Sequence, residues 1–150
     1  MKLSLKVPPL AVSVLVMAGM WLLAKITPGS DMAFGRELAT GLLTGGFVVI
    51  GIAMFSMRKF ETTVDPLNPD KASSLITTGI FGVSRNPIYV GMMMFILGFG
   101  FNLSNVFSLA FSAAFVLYMN RFQIIPEEDA LEGLFPEEYP EYTHKVRRWI

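Results

Sequence analysis

The chain has 150 residues, enough for one domain; 53% are apolar, and twelve basic and twelve acidic side chains leave no net charge. That balance gives no electrostatic case for a nucleic-acid partner. With no cysteine and one histidine, disulfides, thiolate nucleophiles, Cys-based zinc sites and a two-histidine zinc motif are excluded, so no metal site is predicted. Chemistry is left to carboxylates, arginine, tyrosine, amides or a bound cofactor.

The charged residues are segregated along the chain. Residues 7–24, 38–57 and 86–120 contain none of them. A helix of about 20 residues spans the roughly 30 Å hydrocarbon core of a bilayer. The second run has that length and the third is long enough for two passes. We therefore predict an integral membrane protein.

Four transmembrane helices are predicted, at about residues 7–24, 38–57, 87–101 and 104–125. The first run could also be a signal peptide, but its length, Trp21 near its end and the lack of a small-x-small site before Lys25 favour a membrane helix. In the second run, Gly41-x-x-x-Gly45 has the spacing that allows close helix packing in lipid.

The third and fourth runs are separated by a polar turn. Residues 88–101 are apolar but cover only about 21 Å as a helix. Asn102-Leu103-Ser104-Asn105 supplies turn and N-cap residues, and a second apolar stretch then runs from Val106 to about Ile125, where Pro126 is expected to stop it. This pattern predicts a tight helical hairpin.

Basic residues indicate the orientation. With four crossings, ten Lys and Arg residues fall on one side and two on the other, which predicts cytoplasmic termini, a cytoplasmic loop at 58–86 and a cytoplasmic tail at 126–150. Helices are expected to start at Pro126 and Pro136. The second carries an apolar stripe that predicts an amphipathic helix in the headgroup layer: Tyr139, Tyr142, Val146 and Trp149. The predicted fold is a single all-α membrane bundle.

A polar cluster precedes the third crossing. Pro87 suits the first helical position, which leaves Arg85 and Asn86 just outside the helix and places Tyr89 and Gly91 in its first turns. Free N–H groups at a helix start, together with a guanidinium, suit a carboxylate or a phosphate. Taken alone, such an arginine is more typical of a cytoplasmic anchor.

Two carboxylates, Glu127 and Glu128, follow the fourth crossing. Neighbouring residues on a helix point about 100° apart, so at most one of the two is expected to face a given ligand. The topology brings this pair and Arg85 to the same membrane face. They could form an ion pair, or they could clamp a zwitterion such as an amino acid, with Arg on the carboxylate and Glu on the ammonium.

The order and spacing of these residues resemble a known enzyme family. The matching strings are Leu75-x-x-x-Gly79-x-Phe81-x-x-x-Arg85-Asn86-Pro87-x-Tyr89-x-Gly91, Gly98-Phe99-Gly100, Pro126-Glu127-Glu128-x-x-Leu131 and Phe135-x-x-Glu138-Tyr139-x-x-Tyr142. Across about residues 60 to 148 the chain resembles the isoprenylcysteine carboxyl methyltransferases, which are related to the phospholipid N-methyltransferases. Both groups are integral membrane enzymes that use S-adenosylmethionine.

The resemblance implies a set of cofactor-binding positions. These are Arg85, Asn86, Pro87, Tyr89, Gly91, Gly98, Gly100, Glu127 and Glu128. Asn86 stands where many members have histidine, which removes a possible base. Arg85, Glu127 and Glu128 are the expected catalytic positions, with Arg85 on the cofactor carboxylate or an acidic acceptor and one glutamate on the cofactor's ammonium or ribose.

The expected function is S-adenosylmethionine-dependent methyl transfer at the cytoplasmic membrane face to a lipophilic or lipidated acceptor, a prenylcysteine-like carboxylate or another small acid or thiol. One alternative is a phospholipid N-methyltransferase. Another is a non-enzymatic multi-pass membrane protein. Ion carriers usually need an ionisable residue within a crossing, and the charge-free runs provide none.

Overall fold

The computed structural model describes residues 5–60, 67, 68, 70 and 72–150, and within them every regular element is helical. A 3₁₀ turn lies at Gly79–Gly82, and a π-helical turn lies at Asn120–Ile124. The α-helices of this part of the chain are α1 (Pro9–Ile26), α2 (Gly35–Lys59), α3 (Pro87–Asn102), α4 (Val106–Phe111), α5 (Ala113–Met119), α6 (Ile125–Leu134) and α7 (Glu138–Lys145). The all-α prediction is confirmed for these residues.

Among the described residues, three helical stretches are long and apolar enough to cross a membrane: α1, α2 and the continuous stretch Val106–Leu134. The apolar helix α3 has 16 residues and is shorter. Large apolar side chains are exposed on these helices, such as Leu15 (67%), Phe47 (71%) and Leu117 (69%), as expected for surfaces that face lipid. The fourth crossing, the cytoplasmic orientation and the single domain stay predictions.

Helix α3 is contacted by both α2 and α1. The backbone of α2 lies along α3 over the most extensive contact of the fold, and α1 lies against α4 and α3. A tight hairpin of the third and fourth crossings is therefore not confirmed. The turn between them is built as expected, because the Asn105 side chain accepts a hydrogen bond from the Ser108 N–H at 2.9 Å and caps α4.

The close approach of α2 and α3 depends on Gly46 and Gly91. A Cβ added to Gly46 would lie 2.9 Å from the Gly91 carbonyl oxygen, and one added to Gly91 would lie 3.0 Å from the Gly46 carbonyl oxygen. Gly41 and Gly45, the pair whose spacing predicted close helix packing, do not lie against the backbone of a neighbouring helix. A Cβ on Gly41 would meet nothing within 4 Å, and one on Gly45 would meet only the flexible end of Met94.

The core lies where α1, α3 and α5 meet. Side chains from all three, and from the π-helical turn, form one buried cluster of Val12, Val16, Met20, Tyr89, Ile96, Phe115, Met119 and Ile124. Since Tyr89 belongs both to this cluster and to the polar cluster of the sequence, the core fixes the position of at least one candidate site residue.

The helix does not stop at Pro126, contrary to the sequence prediction. Proline has no N–H, and within an α-helix its ring clashes with the carbonyl four residues earlier, here that of Phe122. The π-helical turn Asn120–Ile124 widens the backbone at this point, and the Phe122 carbonyl instead accepts a hydrogen bond from the Leu5 N–H at 3.0 Å. The helical path therefore continues into α6.

The predicted headgroup stripe packs on protein. Tyr139, Tyr142 and Val146 are buried in a second cluster against Leu75, Leu131 and Phe135, and Trp149 packs on the main core. Helix α7 ends at Lys145, and Val146 is extended. The expectation that this face lies in the headgroup layer is wrong, because protein covers it.

Replacing Gly46 with alanine should destabilise the fold. The added methyl group would press on the Gly91 backbone, which cannot move aside as a flexible side chain can, and overpacking typically costs about 1–3 kcal/mol. Thermal unfolding in detergent measures the loss. Gly41→Ala is the matched control on the same helix, and an equal loss in both variants would contradict the contact.

Candidate functional site

A cavity of about 400 Å³ lies between the start of α1, the second half of α2, the start of α3 and helices α6 and α7. Small-molecule sites usually measure about 300–1,000 Å³ and combine an apolar lining with a few polar groups. Apolar side chains of this kind line the cavity, including Ile50, Met54, Leu75, Ile76, Phe81, Met92 and Leu131. The polar lining includes Ser74, Arg85, Asn86, Tyr89, Glu127 and Tyr142.

Arg85 is held at the edge of the cavity with hydrogen-bonding capacity to spare. Its Nη1 lies 3.1 Å from Glu128 Oε1 and 3.5 Å from the Tyr139 hydroxyl oxygen, and the side chain is 13% exposed. The Nε atom is buried, and within the described part of the chain it has no hydrogen-bond partner. A buried unsatisfied donor costs about 1–3 kcal/mol. The Arg85 side chain also lines the cavity, so its guanidinium places a positive charge at the cavity wall.

Glu128 lies between two guanidinium groups. Arg148 donates to it in a bidentate fork, from Nε to Oε1 at 3.0 Å and from Nη2 to Oε2 at 2.6 Å. The pKa of Arg148 is raised, first by its hydrogen bonds to Glu128. Glu128 does not line the cavity. Its carboxylate is therefore committed to the two arginines.

Glu127, in contrast, lines the cavity and is oriented by two neutral donors. The Tyr89 hydroxyl donates to its Oε1 at 2.6 Å, and the Gln123 amide donates to the same oxygen at 2.7 Å. Because both hydrogen bonds reach one oxygen, the carboxylate keeps acceptor capacity for a group in the cavity. The two glutamates, which the sequence could not distinguish, thus have different surroundings.

The residues before α3 are tied to the segment that follows α7. The Arg85 N–H donates to the Arg147 carbonyl at 3.0 Å, and the Asn86 side-chain amide donates to the Arg148 carbonyl at 3.0 Å. Pro87 is buried at the start of α3 and lines the cavity. These two hydrogen bonds hold Arg85 and Asn86 at the cavity edge.

Three predicted cofactor positions, Gly91, Gly98 and Gly100, lie at helix contacts and not in the cavity lining. Gly91 faces α2. A Cβ on Gly98 would lie 3.1 Å from the Ala39 carbonyl oxygen of α2, and one on Gly100 would press on Leu109 and Met20. These glycines allow α3 to approach its neighbours.

Two tyrosines of α7 close the site from the side. The Tyr142 hydroxyl donates to the Phe81 carbonyl at 2.6 Å, which joins α7 to the 3₁₀ turn. Burial raises the pKa of Tyr142, and burial followed by the nearby Glu128 raises the pKa of Tyr139 to about 12. Both hydroxyls therefore keep their protons at neutral pH. His144 is exposed on the same helix.

Sequence reasoning missed Gln123 and Arg148. Gln123 had a usable signal, since it is a polar residue in an apolar stretch and lies four positions before Glu127, where side chains on a helix meet. Arg148 had none, because it follows α7 while its partner Glu128 lies 20 residues earlier, in α6.

The fold and the site together define a helical membrane protein with an arginine guanidinium and a glutamate carboxylate at one cavity. The family described as "Phospholipid methyltransferase" matches residues 34–138, which is more than half of the chain. The chain belongs to this family. The resemblance seen in the sequence is thereby confirmed.

Individual relatives agree with this membership. Two rice proteins, from Oryza sativa subsp. indica and subsp. japonica, are each named "Probable protein-S-isoprenylcysteine O-methyltransferase" and are 32% identical over 104 residues, or 67% of this chain and 53% of theirs. The chain thus spans about half the length of these relatives. A Haemophilus influenzae protein of undescribed function is 36% identical over 63 residues, 42% of this chain and 100% of its own length. No solved structure matches the chain.

Replacing Tyr89 with phenylalanine should destabilise the site while keeping the packed ring. The variant loses the 2.6 Å hydrogen bond to Glu127, and a bond of this kind contributes about 1–3 kcal/mol. Chemical unfolding in detergent gives the difference. Tyr118→Phe, in α5 and outside the cavity lining, serves as control and should be near neutral. A Tyr89→Phe variant as stable as the native chain would argue against the contact.

Proposed function

We propose that this protein transfers a methyl group from S-adenosylmethionine to a lipophilic acceptor at the membrane surface. Family membership, the names of the rice relatives and the apolar helices support a membrane methyltransferase. One observation carries the proposal further. One cavity is lined both by the Arg85 guanidinium and by the Glu127 carboxylate, which keeps spare acceptor capacity.

The cavity chemistry fits the amino-acid end of the cofactor, which bears a carboxylate and an ammonium. Arg85 would hold the carboxylate, because its guanidinium lines the cavity and can pair with a carboxylate through charge-assisted hydrogen bonds. Glu127 would accept from the ammonium or from a ribose hydroxyl, with Tyr89 and Gln123 fixing its orientation. Glu128 would act only through Arg85.

The remaining cofactor positions that the family resemblance implies would act indirectly. Asn86 would hold the segment before α3 through its contact with the Arg148 carbonyl, and Pro87 would start the helix at the cavity wall. Gly91, Gly98 and Gly100 would contribute by close helix packing, because an added Cβ at each would meet a neighbouring helix.

Alignment is the protein's part in such a reaction. The cofactor supplies an electrophilic methyl group, and an acceptor that is already an anion needs little acid or base catalysis. Holding two reactants in line contributes up to about 7–11 kcal/mol in intramolecular reference reactions. A site with an arginine, a carboxylate, tyrosines and amides, and without cysteine, is adequate for that task.

The acceptor is proposed to reach the cavity from within the membrane. A second cavity of about 490 Å³ lies between α1, α2 and α3 and shares Leu10, Ile50 and Met92 with the first. Its lining is largely apolar, including Met17, Leu43, Phe47, Phe95 and Phe99. A prenyl or acyl chain in this groove would bring an attached carboxylate to the shared wall. The cytoplasmic orientation of this face remains part of the proposal.

A second candidate is methylation of a phospholipid amine. The description of the matching family favours it, whereas the names of the rice relatives favour a carboxylate on a prenylated cysteine. The same cavity would serve both reactions, since only the acceptor's reacting group differs.

Replacing Arg85 with alanine should weaken S-adenosylmethionine binding about tenfold or more, because the loss of one partner of a desolvated charged contact typically costs about 2–5 kcal/mol. Isothermal titration calorimetry on purified protein in detergent measures the affinity. Lys145→Ala removes an exposed cation at the end of α7 and should leave the affinity unchanged. Unchanged affinity in Arg85→Ala would remove Arg85 from the cofactor site.

Acceptor identity can be tested with labelled S-adenosylmethionine and a panel of prenylated cysteines, lipidated thiols, fatty acids and phosphatidylethanolamine. We expect label to appear in a base-labile ester of the prenylated cysteine, which distinguishes a methylated carboxylate from a methylated amine. Label in phosphatidylethanolamine alone would favour the second candidate. If the cofactor does not bind at all, a non-enzymatic membrane protein becomes the better description.

A further inference from the structure

Arg148 is a residue without an assigned role whose side chain controls the surroundings of Arg85. Its guanidinium takes both oxygens of Glu128, at 3.0 Å and 2.6 Å, while Arg85 makes a single contact with Oε1 through Nη1 at 3.1 Å. Bidentate pairing is the stronger and more specific arrangement for an arginine and a carboxylate. Glu128 is therefore principally the partner of Arg148.

The charge balance of this cluster matters for the cavity. Two guanidinium groups surround one carboxylate, so the cluster of Arg85, Glu128 and Arg148 carries an excess positive charge. Without Arg148, both oxygens of Glu128 would be free to form a bidentate pair with Arg85, and such a pair would neutralise the guanidinium that lines the cavity.

We infer that Arg148 is a positioning residue that occupies Glu128 and thereby keeps the charge of Arg85 available to an anionic ligand group in the cavity. The inference rests on the proposed function, in which that group is the cofactor carboxylate. Arg148 does not itself line the cavity and, on this assignment, does not contact the ligand.

Three contacts fix Arg148 in place. The Arg147 carbonyl accepts from the Arg85 N–H at 3.0 Å, and the Arg148 carbonyl accepts from the Asn86 amide at 3.0 Å. On the other side, the Trp149 indole N–H donates to Asn120 Oδ1 at 3.0 Å, in the π-helical turn. Because residues 147–149 are already held by these contacts, Arg148 can form its two hydrogen bonds to Glu128 with little further loss of backbone freedom.

The test compares the affinity of S-adenosylmethionine with that of its decarboxylated analogue by calorimetry in detergent. The native protein should prefer the carboxylate-bearing compound by about tenfold or more. In Arg148→Gln the preference should fall to about threefold or less, because Glu128 then captures Arg85. In the double variant Glu128→Gln/Arg148→Gln the preference should return, because the neutral amide at position 128 can no longer pair with Arg85.

Return of the preference in the double variant is a result that a merely structural role would not produce. Lys145→Gln is the matched control, since it removes a cation three positions away that pairs with Glu141 at the surface. If Arg148→Gln does not fold, Arg148→Lys replaces it. Lysine cannot form the fork, so the preference should still fall by about threefold.

The outcomes separate the inference from the proposed function. An undiminished preference in Arg148→Gln or Arg148→Lys overturns the inference and leaves the cofactor site standing. Equal losses in the single and the double variant also overturn it. A native protein that binds both compounds equally overturns the assignment of Arg85 in the proposed function and the inference with it.

Discussion

The carboxylate of Glu128 between two guanidinium groups is the contact on which the architecture of the site depends. Its partners come from the loop before α3 and from the segment after α7, while Glu128 itself belongs to α6. Its side chain is only 17% exposed, and an unpaired charge in such a place is costly. The cluster therefore fixes three segments that are distant in the sequence around one cavity.

The adjacent acids illustrate how one helix can serve structure and ligand at once. Side chains of neighbouring residues diverge by about 100°, so Glu128 turns to the arginines while Glu127 turns to Tyr89 and the cavity. Both acids lie in the first turn of α6, directly after the π-helical turn. Local helix geometry thus separates the two roles.

Local signals in the sequence were sufficient for much of the fold and part of the site. The charge-free runs located the helices to within a few residues, Asn105 was recognised as a cap, and Arg85 and Glu128 were expected at one face. The errors arose where a contact with a residue distant in the sequence determines the local structure. The helical path continues through Pro126 after a π-helical turn, where the Phe122 carbonyl accepts from the distant Leu5 N–H. Protein covers Tyr139 and Tyr142 of α7. No local pattern encodes such partners.

The two cavities share Ile50 of α2 and Met92 of α3. These residues lie four and one positions after Gly46 and Gly91, which allow the two helix backbones to come close together. The apolar groove therefore adjoins the cavity that Arg85 and Glu127 line. A reaction between a charged, water-soluble donor and an apolar acceptor requires such a junction, because neither environment alone would hold both reactants. Helix packing within the apolar region and ion pairing at its edge thus determine one site together.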